Sequence, residues 1–176
     1  MISLYKYTDK EIDEMISSLI ILVDTREKNN LHITESFDKN KISYKKKALD
    51  YGDYSFAIPK NEELSLPRDI YFDKQICIER KGSLEELSGN LTKERERFEK
   101  ELCLAPREKV LLVENANYSD IALGNYQTQY NKKSFLASIH SFWFKYHIPI
   151  FFMPDNKFSG LFIKKYFEYY LKNYMR

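Results

Sequence analysis

Glu79, Arg80 and Lys81 close an alternating stretch, Gln75-Ile76-Cys77-Ile78, that has the pattern of a half-buried strand. Residues two apart on a strand point to one face, so Glu79 and Lys81 share a face. Two more acids sit at comparable places. Asp24 follows the apolar run Leu19 to Val23, with Arg26 and Glu27 just beyond, and Asp53 opens another strand after the turn Asp50-Tyr51-Gly52. Carboxylates held together raise one another's pKa values unless a cation neutralises them. An oxygen-only ligand set without cysteine suits a hard cation such as Mg2+ or Mn2+. A lysine beside that cation can lower the pKa of a bound water, orient it, or stabilise charge developing on a phosphate oxygen. Taken alone, acid-x-lysine is equally the mark of an ion pair at a strand end.

Ordinary elements must position these groups. Thr8-Asp9-Lys10-Glu11 reads as a capping box that opens a short helix to about Ser18. Leu19 to Asp24 is rich in branched residues and predicts a central buried strand. A helix follows from about Leu31 to Lys39, then two strands around the Asp50-Tyr51-Gly52 turn. Pro59 to Asp69, polar and with two prolines, reads as a loop. Ser83-Leu84-Glu85-Glu86 predicts a second capping box directly after Lys81, with Gly89 closing that helix. A further helix spans about Thr92 to Ala105; Lys109 to Asn115 and Ile148 to Met153 read as strands, with a helix over Phe135 to Tyr146 between them. Strands alternating with helices give the α/β class, a mixed central sheet flanked by helices in three layers. No repeat or linker divides residues 1–176, so one domain is expected, with a core over about 19–155 and an aromatic helix over about 156–175.

Composition excludes several classes. The chain of 176 residues is 43% hydrophobic and 31% charged, the balance of a globular domain, and no apolar run is long enough to span a bilayer. The start lacks the order of a secretory signal, which predicts a cytoplasmic protein with reduced core thiols at Cys77 and Cys103. The histidines, His32, His140 and His147, are scattered and read as structural. Net charge is +2, which argues for no partner by itself; Lys45 to Lys47, Arg95 with Arg97, Lys132-Lys133 and Lys164-Lys165 are either solvated faces or a path for a phosphate backbone.

Three motifs in order, Val23-Asp24-Thr25-Arg26-Glu27, Gly52-Asp53-Tyr54 and Glu79-Arg80-Lys81, resemble the nuclease domain of XPF-type structure-specific endonucleases, within the restriction-endonuclease-like superfamily. The likeness runs from about Ile20 to Ile150 and is nearest to short stand-alone domains of phages and bacteria. It implies a divalent-metal-dependent endonuclease that hydrolyses phosphodiester bonds of branched or junction DNA, in repair, recombination or replication. Asp24, Asp53 and Glu79 would hold Mg2+ or Mn2+, with Glu27 close by, and Lys81 would activate the attacking water. Arg26, Arg80 and Arg95 would grip phosphate or brace the carboxylates, for which a planar fork is suited. Arg97 has no matching residue and reads as a surface charge.

The chain departs from the family pattern at three places. Glu85 stands where family members carry an aspartate. Residues 59–73 form an insert that reads as an extended hairpin rather than a DNA-contacting flap. The helix-hairpin-helix module of larger relatives is not expected here. A non-catalytic DNA-binding subunit is disfavoured because all the acids and the lysine are present; an exonuclease or restriction-type enzyme of the same fold, an RNA substrate and a helicase or replication partner remain open. The tail helix, with a narrow polar stripe of Lys164, Lys165, Glu168 and Lys172 and aromatic residues elsewhere, is either packed deep beside the sheet or a homodimer surface.

Overall fold

The computed structural model describes residues 6–175. Seven strands form one sheet: β1 (Ile20–Val23), β2 (Tyr44–Lys46), β3 (Tyr54–Ile58), β4 (Ile70–Tyr71), β5 (Ile76–Lys81), β6 (Glu108–Glu114) and β7 (Ile150–Met153). Their order is β2-β1-β3-β5-β6-β7, with β4 pairing beside β3. β1 is parallel to β2 and antiparallel to β3; β3 is antiparallel to β5, and β5, β6 and β7 run parallel. The three acidic motifs therefore lie on adjacent strands. The turn before β3 places Asp53 beside both neighbours: its N–H donates to the Ile78 carbonyl at 2.8 Å, and its carbonyl accepts from the Asp24 N–H at 2.8 Å.

Strand alternation gives the sheet two different faces. Ile21, Val23, Phe56, Ile58, Ile78 and Leu112 join the larger core with three helices, α1 (Asp9–Ser17), α2 (Leu31–Lys39) and α7 (Ser159–Met175). Leu111 and Val113 on the other face pack with α3 (Leu84–Leu91), α4 (Arg95–Leu104) and α6 (Lys132–Tyr146) through Leu87, Phe98 and Phe142. Over β1 and β3 that second face carries only a small cluster, Leu22, Ala57 and Leu49 from the loop after β2. The helical cover thus stops at β5, where Glu79 and Lys81 emerge.

Several local readings hold and others shift. Thr8 caps α1 in a full capping box. At α3 the box is only half made: the Ser83 hydroxyl accepts from the Glu86 N–H, but the Glu86 carboxylate takes the Gly82 N–H at 2.8 Å instead of the cap residue's own. Gly89 does not end α3, which continues to Leu91. Residues 59–73 form a hairpin extension, since Ala57 and Ile58 pair with Tyr71 and Ile70 and salt bridges from Lys45 to Asp69 and from Lys47 to Asp73 pin its base. A short helix, α5 (Tyr118–Leu123), closed by Gly124 in the left-handed conformation, was not expected, because six residues are too few to show a helical period. Cys77 is buried as anticipated, and burial pushes its thiol up to about 12. Cys103 is exposed, because its place on α4 faces away from the Phe98–Leu102 stripe. α7 is a core helix: Ile163, Phe167 and Leu171 are fully buried, while Leu161 and Tyr169 remain exposed. Among the described residues no helix is long and apolar enough to cross a membrane.

Candidate active site

A cleft of about 220 Å³ opens where the second helical layer stops. Its floor is Asp53, Cys77, Glu79 and Lys81, one rim is Arg26 with the Asp50–Gly52 turn, and the other is α4 with Arg97, Phe98 and Glu101. Gly52 makes the turn possible. Its φ of +69° is in the left-handed region, and a Cβ there would sit 2.8 Å from Cys77 Cβ and 3.0 Å from the Ile78 carbonyl oxygen.

Lys81 Nζ donates to Glu79 Oε1 at 2.7 Å and lies 5.1 Å from the centroid of the Phe98 ring. Burial works against the ammonium, but Glu79 outweighs it and raises the Lys81 pKa, so this lysine is charged. Asp53 has the opposite problem. Burial, reinforced by the charge of Glu79, holds its carboxyl well above the ordinary aspartate range, although the Arg80 backbone N–H donates to Oδ2 at 2.7 Å. Part of its surface stays open to the cleft while protein fills most of the surrounding volume.

Asp24 stands behind this floor. Its carboxylate accepts from the Arg26 N–H at 2.7 Å, from Arg26 Nε at 2.9 Å and Nη2 at 3.1 Å, and from the Leu49 N–H at 2.8 Å. Burial alone would raise its pKa, but the Arg26 side-chain bonds and the two backbone donors together hold it below the usual value. With both oxygens engaged, Asp24 anchors Arg26 in the arrangement seen here and does not line the cleft. Arg80, on the opposite face of β5, is 7% exposed and is locked between Glu27 at 2.8 Å and Glu114 at 2.7 Å. Glu114 also bonds His32 Nε2 at 2.9 Å. Arg80 thus braces the ends of β1 and β6 against β5, and Glu27 remains near enough to Asp53 to contribute to its raised pKa.

The structure brings Asp53, Glu79, Lys81 and Arg26 to one cleft, with Glu27 and Arg80 in the adjoining pocket. Arg95 points elsewhere: Nε bonds Glu99 at 2.9 Å, Nη1 bonds Ser138 at 3.3 Å, and the guanidinium lies 5.1 Å from the Phe142 ring centroid. Glu85 accepts the Gln127 N–H at 2.9 Å and secures the loop before α6. Two residues gain a place that sequence reasoning did not give them. Glu114 closes an apolar strand with an acid, the same signal that singled out Asp24. Arg97, read as a surface charge, borders the cleft.

Among the described residues no group of three or more His, Cys, Asp or Glu is gathered tightly enough to hold a metal. The pair Asp53 and Glu79 nevertheless fits Mg2+, which commonly takes one or two carboxylates and keeps waters or substrate phosphate for the rest. The raised Asp53 pKa is the mark of negative charge that a bound cation would relieve.

The mixed seven-strand sheet flanked by helices is the α/β fold of XPF-type, restriction-endonuclease-like nuclease domains. It is similar to XPF from Aeropyrum pernix, at 17% identity and a TM-score of 0.60 over 86% of this chain and 61% of that one. For the same protein solved in complex with DNA the values are 18%, 0.63, 88% and 66%. This chain spans less than two thirds of either solved chain. The ERCC4 domain family matches residues 23–166, and the chain belongs to that family. No curated protein matches it in sequence.

Proposed function

We propose that this ERCC4-family chain is a divalent-metal-dependent nuclease that hydrolyses phosphodiester bonds in DNA, at branches or at junctions of single and double strands. The observation that carries the reading is the charged Lys81, held on Glu79 beside the strained carboxyl of Asp53 at the floor of an open cleft. A homologous fold solved with DNA supports the substrate class.

Asp53 and Glu79 would hold Mg2+ or Mn2+, which when bound supplies Lewis-acid polarisation of a phosphoryl oxygen and acidifies water. Hydrolysis adds water across one P–O ester bond, with one proton passing overall from the water to the leaving oxygen. Lys81, whose ammonium is favoured by Glu79, would orient the water or carry charge developing on phosphate. Its short bond to Glu79 fixes where that charge sits. Arg26, gripped by Asp24 through Nε and Nη2, would turn its remaining Nη1 at the rim toward a phosphate oxygen. Arg80 and Glu27 keep the strand ends in register. Pairing of two copies through the exposed side of α7, near Leu161 and Tyr169, and contact with a helicase or replication partner belong to the same proposal.

The test is cleavage of end-labelled duplex, single-stranded, flap, fork and four-way DNA, with an RNA control, in Mg2+, Mn2+ or chelator. Cutting that requires metal and falls at least ~100-fold in Lys81→Ala is the expected result, the size of a typical proton-handling or charge-stabilising group. Cutting at the wild-type rate by Lys81→Ala would remove the assignment. Tight binding without cutting under any metal would leave a DNA-binding subunit instead.

A further inference from the structure

We infer that Arg97 of α4, opposite Arg26, completes a two-sided clamp on the DNA phosphate next to the bond that is cut. This rests on the nuclease reading above and specifies how its substrate is gripped.

Residues two apart on an α-helix are separated by about 200° of rotation, so Arg95 and Arg97 cannot serve the same side of α4. Arg95 is on the side packed toward α6, where Glu99 and Ser138 take its donors. Unlike Arg95, Arg97 lines the cleft, together with Phe98, Leu102 and Glu101 one turn further on. Its neighbours hold it there without burying it: Nη2 bonds Glu94, Nη1 lies 3.9 Å from Glu101, and the side chain is 63% exposed. Arg26 on the facing rim is 71% exposed, with Nε and Nη2 committed to Asp24 and the Leu49 carbonyl, which leaves Nη1 for a ligand.

Glu101 belongs to the same device. It approaches Arg97 from one side and is near enough to bear on the charge of Arg26. An anion that bears on both guanidiniums thus lines the same cleft as Asp53, Glu79 and Lys81. A phosphate arriving there finds two anchored guanidiniums and displaces a carboxylate that is half exposed and lies 3.9 Å from Arg97 Nη1. Arginine forks held by carboxylates lose less freedom on binding than free surface lysines, which is why this pair is set apart from the other basic clusters.

The experiment is fluorescence anisotropy of labelled fork DNA in chelator, where nothing is cut, over a series of salt concentrations, with a thermal melt of every variant to confirm folding. Arg97→Ala is expected to weaken binding about tenfold at low salt and to lower the slope of log affinity against log salt by about one. Arg97→Lys should restore the slope but not the full affinity, because a point charge replaces the fork. Glu101→Gln should tighten binding severalfold. Wild-type affinity and slope in a folded Arg97→Ala would overturn the clamp, as would a lowered slope in Arg95→Ala with none in Arg97→Ala. Wild-type protein that is folded and binds no DNA overturns the nuclease reading itself, and the clamp with it.

Discussion

Asp53 carries the tension of this site. Its folded-state pKa is raised by burial and by Glu79, so the stability it contributes is present below the pKa of the unfolded chain and is lost as pH rises through the folded value. Replacing it by asparagine keeps the oxygen that accepts the Arg80 N–H and removes the charge. In chelator, Asp53→Asn should therefore melt higher than wild type, with the gap widening from acid to neutral pH, while the rise in melting temperature that Mg2+ gives wild type should vanish. Scanning fluorimetry with Mg2+ or chelator checks both; a variant that still gains stability from Mg2+ would place the cation elsewhere. Asp24 has the reverse sign. Its depressed pKa contributes stability above the unfolded value that is lost as pH falls, so Asp24→Asn should flatten the acid limb of the melting curve.

At the scale of elements, the cleft depends on a turn and two strand ends. Gly52 turns beside Cys77 with a positive φ, and a methyl group there would clash with Cys77 Cβ at 2.8 Å and crowd the Ile78 carbonyl at 3.0 Å. Gly52→Ala should cost about 1–3 kcal/mol in chemical denaturation and reduce cleavage further than the stability loss explains, since Asp53 is the next residue. An alanine variant with wild-type stability and rate would mean the turn is free to relax. The other brace is electrostatic. Arg80 between Glu27 and Glu114 ties β1, β5 and β6 together in a place with little water. Such pairs fix geometry more surely than they add stability.

For the whole molecule, α7 decides whether the sheet has a second core. Ile163, Phe167 and Leu171 are fully buried against α2 and the strands, and Gly160 lets α7 approach so closely that a Cβ there would lie 2.7 Å from Ser36 Oγ. Each such side chain contributes about 1.5–3 kcal/mol, so deleting residues 156–176 should leave no cooperative melt by circular dichroism. Self-association needs a different probe that spares the core. Tyr169→Glu changes only the exposed side of α7 and should lower the mass seen in light scattering if two copies pair there; a wild-type chain already monomeric at high concentration would end that reading.

From the sequence alone came the α/β class and the strand ends that carry Asp24, Asp53, Glu79 and Lys81. Apolar runs ending in Asp24 and Glu79, the Gly52 turn and the Thr8 capping box are local signals, set by backbone preference and side-chain period, and they survive folding, whereas the Ser83 box is only half made. For residues 59–73 the sequence favoured a hairpin over a flap, and the pairing of Ala57 and Ile58 with Tyr71 and Ile70 is what the fold supplied. Tertiary structure alone decided which acids face a common cleft and which stand behind it. Asp24 is an anchor because Leu49, 25 residues away, supplies a donor to its second oxygen. Glu114 matters because β6 is parallel to β5 and delivers it to Arg80. The rotation of α4 set Arg97 on the cleft and Arg95 against α6, a choice made by packing of Phe98 and Leu102. Charge partners are chosen by distance in space, and distance in space is what a linear pattern does not contain.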